Sequence, residues 1–181
     1  TGAATFITGA TGSNIVLDTS SNAFSSSVEM RADAGGEAFG NITFVDSAAV
    51  DLDSSASANG DLFINASTDG AVGGNLSVTA TTGNITQNTA LTITGTTTLV
   101  TSADNATITL NTATNAFTGA LLITTNDSSG TDADVTIDGG TTALQIAAST
   151  IDGDLTLTSG HASGITDSGN VTVAGNLVAT T

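Results

Sequence analysis

Carboxylates are the only chemistry-bearing side chains that this sequence offers in number, and they are densest in NDSSGTDADVTID, residues 126–138. Asp127, Asp132, Asp134 and Asp138 there are hard oxygen donors of the kind that calcium takes six to eight at a time. The spacing is not that of an EF-hand. Asp138 stands twelfth from Asp127, where that loop carries its bidentate acid, but the glycine is Gly130 at the fourth place and not the sixth. The four aspartates are therefore calcium candidates only, set against the plainer reading of a solvated acidic turn. The same plain reading covers Asp46, Asp51 and Asp53.

Other groups point to less. His161 is the only imidazole, and Asp167 with several serines nearby does not make a catalytic triad from sequence proximity alone. Arg31 is the only strong base, so a lyase-like site built on basic residues is not expected, and the chain reads as no enzyme, with no cofactor. Arg31-Ala32-Asp33 is a tripeptide of integrin-binding type whose counterpart in the repeat described below is Thr124-Thr125-Asn126. Asn-x-Ser/Thr occurs at Asn41, Asn65, Asn75, Asn84, Asn105, Asn126 and Asn170, as it does freely in a chain this rich in hydroxyls. The pairs Thr92/Thr94 and Thr107/Thr109 are of the type that ice-binding solenoids array, but they do not recur in one register.

The composition limits what these groups can serve. The chain has 181 residues, 39% of them hydrophobic, enough for one domain with a core. Its formal charge of −16 opposes nucleic acid and anionic membrane surfaces. No apolar run approaches the roughly 18 residues of a membrane helix, so membrane insertion is not expected. Cysteine is absent, which removes disulfides and thiolate metal sites and leaves the redox compartment open. Proline is absent too, although ordinary usage would place about nine in this length. A residue without an N–H is costly wherever backbone pairs on both sides, so its exclusion suits an architecture of central strands.

The elements that must position everything are short strands with one grammar, apolar–hydroxyl–apolar. Ile42-Thr43-Phe44, Leu76-Ser77-Val78, Ile108-Thr109-Leu110, Val135-Thr136-Ile137, Leu155-Thr156-Leu157 and Val171-Thr172-Val173 all follow it. The period is two, placing Leu110, Ile123, Val135, Ile137, Leu155 and Leu157 inward and Thr109, Thr136 and Thr156 outward. Glycine followed by Asn or Asp introduces many of them, as at Gly40-Asn41, Gly60-Asp61, Gly74-Asn75, Gly83-Asn84, Gly153-Asp154, Gly169-Asn170 and Gly175-Asn176. Such pairs bend a chain repeatedly in the same way. No helix is expected anywhere.

The chain also repeats itself. At an offset of 93 residues Phe6 falls on Leu99, Ile15 and Leu17 on Ile108 and Leu110, Asn22-Ala23-Phe24 on Asn115-Ala116-Phe117, and Ile42 and Phe44 on Val135 and Ile137. After Gly60-Asp61-Leu62, which falls on Gly153-Asp154-Leu155, the offset shrinks to 80, so that Ile85 meets Ile165 and Gly95 meets Gly175. The first copy thus carries an extra strand and corner. The calcium candidates are not duplicated, since Ala34, Phe39, Asn41 and Val45 stand at the matching places. We read one segment, 1–181, with copies at 1–94 and 95–175 and the start of another at 176–181. Its fold class is all-β, a parallel β-solenoid with coils of about 20 to 30 residues. An antiparallel sandwich is the competing architecture, disfavoured by the long repeat and the lack of Asn-Gly hairpins.

The Gly-Asn/Asp-Leu-x-Val corners, the phrase ITQNTALTITGTTTL (85–99), its echo ITDSGNVTVAGNL (165–177) and the Asn-Ala-Phe corners resemble filamentous-haemagglutinin-like giant bacterial adhesins. That resemblance implies a right-handed parallel β-helix, exported to the cell surface or secreted. The Asn-Pro motifs of that family's secretion domain are missing, which places the likeness in the shaft. The function expected is a non-catalytic extracellular shaft of an adhesin or exoprotein. The alternatives are a self-assembling filament or sheath subunit, a calcium-binding surface-layer module and an ice-binding solenoid. The partners expected are neighbouring coils or copies of the chain end to end, with coils beyond Thr1 and Thr181 extending the ladder. Host or surface glycans or proteins would be met by regions outside this chain.

Overall fold

A computed structural model describes residues 2–10, 12–32, 40–53, 62–64, 71–130 and 132–181, with 62–64 and 71–72 given by backbone alone. The Gly60-Asp61 corner, Asp33, Asn65 and the counterpart positions Ala34 and Phe39 lie outside the described residues. No helix occurs among those described, and every strand pairing is parallel.

Strands are numbered in chain order. One sheet stacks, in spatial order, β1 (Ala4–Ile7), β3 (Val28–Arg31), β6 (Leu62–Ile64), β5 (Val50–Asp53), β9 (Ile85–Gln87), β12 (Ile108–Leu110), β15 (Val135–Asp138), β18 (Leu155–Thr158) and β21 (Leu177–Thr180). The second runs from β2 (Ile15–Leu17) through β4 (Ile42–Asp46), β8 (Leu76–Ala80), β11 (Thr97–Thr101) and β14 (Leu121–Thr124) to β16 (Leu144–Ile146) and β19 (Ile165–Asp167). Beside its last members lie β17 (Ser149–Ile151), paired with β14, and β20 (Val171–Val173), paired with β17. The third, short side holds β7 (Ala71–Val72), β10 (Thr92–Ile93) and β13 (Ala116–Phe117). The chain is thus a β-solenoid, each side of one coil lying on the same side of the next.

The period-two pattern decides which side chains are inside. Leu110, Ile123, Val135, Ile137, Leu155 and Leu157 are all buried, while Thr109, Thr136 and Thr156 between them are partly exposed. Their registers stack like on like, with Ile108 against Val135 against Leu155 and Thr109 against Thr136 against Thr156. Each inward Leu or Ile stabilises the stack by roughly 1.5–3 kcal/mol relative to exposure. Phe24 and Phe44 add a tilted ring contact with centroids 5.3 Å apart.

Two findings refine the repeat. First, it exchanges the two long faces. Phe6 of β1 is in the first sheet and its match Leu99 of β11 in the second; Ile15 of β2 is in the second and its match Ile108 of β12 in the first. Val28 with Leu121, Ile42 with Val135 and Ile85 with Ile165 are exchanged in the same way. Both faces ask only for apolar residues two apart, so one sequence pattern serves either. Second, β6 is out of chain order. It is inserted between β3 and β5, parallel to both. The 93-residue offset matches its Leu62 with Leu155 of β18, but both lie in the first sheet; under the exchange of faces Leu155 answers instead to Leu76 of β8, and β6 is the strand by which the first copy exceeds the second.

Candidate functional site

The corners carry the polar structure of this molecule. Before the second sheet, the Asn14 amide oxygen accepts the Asn41 backbone N–H at 2.8 Å, Asn41 accepts that of Asn75 at 2.8 Å, and Asn75 accepts that of Thr96 at 2.8 Å. Partners are 27, 34 and 21 residues apart, one coil each, the 34 including the extra strand. The row stops where threonine replaces the amide. A second row precedes the first sheet: Asn84 accepts from Thr107 at 2.9 Å, Asp134 from Asp154 at 2.7 Å and Asp154 from Asn176 at 2.6 Å. Glycines make the corners close enough for this. A Cβ on Gly74, Gly95 or Gly119 would strike the backbone carbonyl of the glycine one coil below, at Gly40, Gly74 and Gly95 respectively.

The four calcium candidates are divided among different tasks. Asp127 closes its own turn, Oδ1 accepting the Ser129 N–H at 2.9 Å and Oδ2 that of Asp132 at 3.0 Å. Those amides, Asp132's first, hold its carboxyl below the ordinary value. Asp132 is exposed beside Gly130. Asp134 serves the corner row, and Asp138 accepts the Gly140 N–H at 2.7 Å on the far end of β15. Neighbouring carboxylates act likewise: Asp104 binds Asn126 and Ser128 of the next coil, and Asp152 accepts the Asp127 N–H at 3.3 Å. Among the described residues no group of three His, Cys, Asp or Glu could hold a metal ion.

Asp46 and Asp53 correct the expectation of solvated acids. Both are buried, at 4% and 1% exposure. Each is the last residue of its strand, and donors replace water: the nearby Ala48 amide and the distant Phe24 amide for Asp46, at 3.3 and 3.4 Å, and the Thr89 hydroxyl, 36 residues away, for Asp53, at 2.7 Å. Asp51, between them, remains partly exposed.

The remaining groups are dispersed. His161 is exposed and its Nδ1 accepts the Ser163 N–H at 3.0 Å. Arg31 pairs with Glu29 of its own strand at 3.0 Å, and Glu29 accepts the Thr5 hydroxyl one coil away. Thr92 lies on the third side, Thr109 on the first sheet, and Thr107 gives its N–H to the corner row, so the two Thr-x-Thr pairs share no face. Of the Asn-x-Ser/Thr asparagines, Asn41, Asn75 and Asn84 have their amide oxygens in the corner rows.

Sequence reasoning missed a buried polar knot. Asn115, 2% exposed, donates through Nδ2 to Gln87 Oε1 at 2.8 Å, to the Asp138 carbonyl at 3.0 Å and to the Leu110 carbonyl at 3.3 Å. Its Oδ1 accepts the Leu91 N–H and Gln87 Nε2, each at 2.9 Å. One side chain therefore ties three successive coils at a corner. The signal available was the repeated Asn-Ala-Phe: Asn22, its match, makes the same turn, with Asn22 N–H to the Thr19 carbonyl and Asn115 N–H to that of Thr112, both at 3.0 Å.

This coil-by-coil recurrence agrees with the comparison to known families. A model described as repeats of unknown function (DUF5649) matches residues 59–124 and 132–181, more than half of the chain. The chain belongs to the DUF5649 repeats. No curated protein matches it, and no solved structure does. Between the two matched DUF5649 segments lie residues 125–131, including Asp127, while Asp132, Asp134 and Asp138 fall within the second. Among the described residues of this DUF5649 chain no helix is long and apolar enough to cross a membrane.

Proposed function

We propose that this chain is a non-catalytic, extracellular structural segment, the stiff shaft of a giant bacterial surface adhesin or exoprotein. The observation that carries the reading is the uninterrupted locking of coil to coil. Two sheets of nine and seven successive strands run the length of the stack, and corner amides and carboxylates add side-chain rungs between the backbone rungs. Such a quasi-one-dimensional stack resists bending and presents hydroxyls and carboxylates outward, with its polar side chains spent on their neighbours. The extracellular and bacterial parts of the proposal rest on the adhesin-like corners and phrases alone. The test is immunolabelling with antibodies raised against the chain: signal on intact source cells or in their medium supports the reading, and signal only after permeabilisation sinks it.

A further inference from the structure

The exchange of the two long faces shows the same repeat position once on each. Glu29 of β3 matches Leu122 of β14, Arg31 matches Thr124, and Asp138 of β15 matches Val45 of β4. All six stand at outward positions of their strands. In each pair the ionisable residue is on the first sheet and the uncharged one on the second, whichever copy it comes from. The inward residues make the same demand on both faces, so core packing does not account for the difference.

The second sheet turns an uncharged face outward. Among the described residues no outward position of β2, β4, β8, β11, β14 or β16 is ionisable, in a chain with seventeen acids. Thr43, Ser77, Thr98 and Leu122 form one column of it, in register and partly exposed. Its two long edges differ. Neutral Asn14, Asn41, Asn75 and Thr96 precede β2, β4, β8 and β11, whereas Asp18, Asp104, Asp127 and Asp152 lie just beyond β2, β11, β14 and β17.

We propose that this face is a lateral interface, on which a second copy of the chain lies alongside the first with the two shafts parallel. Copies of charge −16 repel each other wherever acids meet, and the second sheet is where they approach without them. The strand spacing of about 4.8 Å is common to both, so the side chains of one copy seat between the rungs of the other along the whole contact. A two-fold axis along the shaft sets the acidic edge of each copy beside the amide edge of its partner; antiparallel shafts would set acid on acid. The outward positions of these strands hold no aromatic ring on which a sugar would stack, and their columns mix residue types where an ice lattice would meet one repeated group. Six strands of three to five residues offer roughly 250–400 Å² per copy, against about 800 Å² in a standard interface. A pair of single chains is therefore weakly held, and more coils hold it better. This pairing needs only the stacked coils and goes beyond the shaft reading, since it does not depend on an extracellular location.

Sedimentation of the full-length chain at high concentration tests it. Wild type should associate reversibly, more so in added salt, which screens the acids at the edges. Ser77→Asp with Thr98→Asp puts two acids on the second sheet, and Thr109→Asp with Thr136→Asp puts the same two charges on register partners of the first. The second-sheet variant should associate roughly tenfold or more weakly and the first-sheet variant within about twofold of wild type, with circular dichroism showing that both fold. Equal loss in both, or association untouched by the second-sheet acids, overturns the interface. A wild type that stays monomeric also overturns it, and glycan or ice binding by that monomer, lost in the second-sheet variant, would name the occupant instead. The absence of cysteine makes the orientation readable. With parallel shafts, Ser77→Cys chains and Leu122→Cys chains should each link to their own kind through a short bismaleimide. Links formed only when the two are mixed mean antiparallel shafts and overturn the arrangement.

Discussion

Asn41 and Asp134 hold the same position of the repeat on opposite faces, and each lends Oδ1 to the backbone N–H of the corner one coil on, Asn75 at 2.8 Å and Asp154 at 2.7 Å. The geometry is common to both, but one acceptor is an amide and the other a carboxylate.

Asp154 reports that difference. The Asn176 backbone amide, and then its side-chain amide, hold the Asp154 carboxyl below its ordinary value. A group whose folded pKa is depressed contributes stability that is present above the unfolded carboxylate value and lost as pH falls through the folded one. Relief of the −16 charge acts the other way on acidification, so the comparison must be between variants. Asp154→Asn, copying Asn75, should keep the rung and remove this acid-sensitive part. Melting temperatures by circular dichroism at neutral pH and near pH 3 should show a smaller acid loss, or larger gain, in the variant. An unchanged difference would mean that the rung is not felt.

The core assignment predicts sharply unequal neighbours. Ile137→Asp places a carboxylate between coils with no partner, at a cost of several kcal/mol. Thr136→Asp, one residue away and facing out, should lie within about 1 kcal/mol of wild type. Denaturant midpoints measure both, and equal damage would overturn the inward–outward assignment.

Asn115→Ala should cost more than any exposed corner asparagine. It removes the side-chain partner of the Leu91 N–H and of the Asp138 carbonyl in a buried corner, where each unsatisfied group costs about 1–3 kcal/mol, and leaves the Gln87 amide with only the Thr89 carbonyl and the Thr112 N–H. Asn14→Ala removes a single exposed rung and should cost about 0.5–1.5 kcal/mol. Thermal unfolding of the two variants side by side tests the ranking.

Cations should stabilise the stack mainly by screening, because seventeen acids face one arginine. Calcium at low millimolar concentration should raise the melting temperature little beyond sodium at matched ionic strength. A much larger calcium gain, abolished by Asp132→Asn, would establish a site at the Asp127–Asp132 turn.

How much of this was legible in the linear chain depends on how local its cause is. Inward and outward residues were legible because a strand's side chains alternate by covalent geometry, so Ile137 and Thr136 needed no fold to be separated. The corners were legible because Gly-Asn and Gly-Asp bend a backbone wherever they stand. The absence of helix and the coil length followed from the same local grammar, and the 93-residue offset exposed the solenoid.

Only the tertiary structure decided what depends on which coil lies against which. The repeat says that Ile15 and Ile108 are alike; stacking puts them on opposite faces, because two sides with identical demands cannot be told apart by residue type. β6 is placed between β3 and β5 by ladder pairing, which chain order does not encode. Asp46 and Asp53 are buried because donors distant in the chain, the amide of Phe24 and the hydroxyl of Thr89, meet them at the ends of their strands. Asn115 joins Gln87 and Asp138 for the same reason, 28 and 23 residues away. Nearest neighbours along the chain determine the strand and the bend. Neighbours one coil apart determine the polar rungs, and these exist only once the coils are stacked.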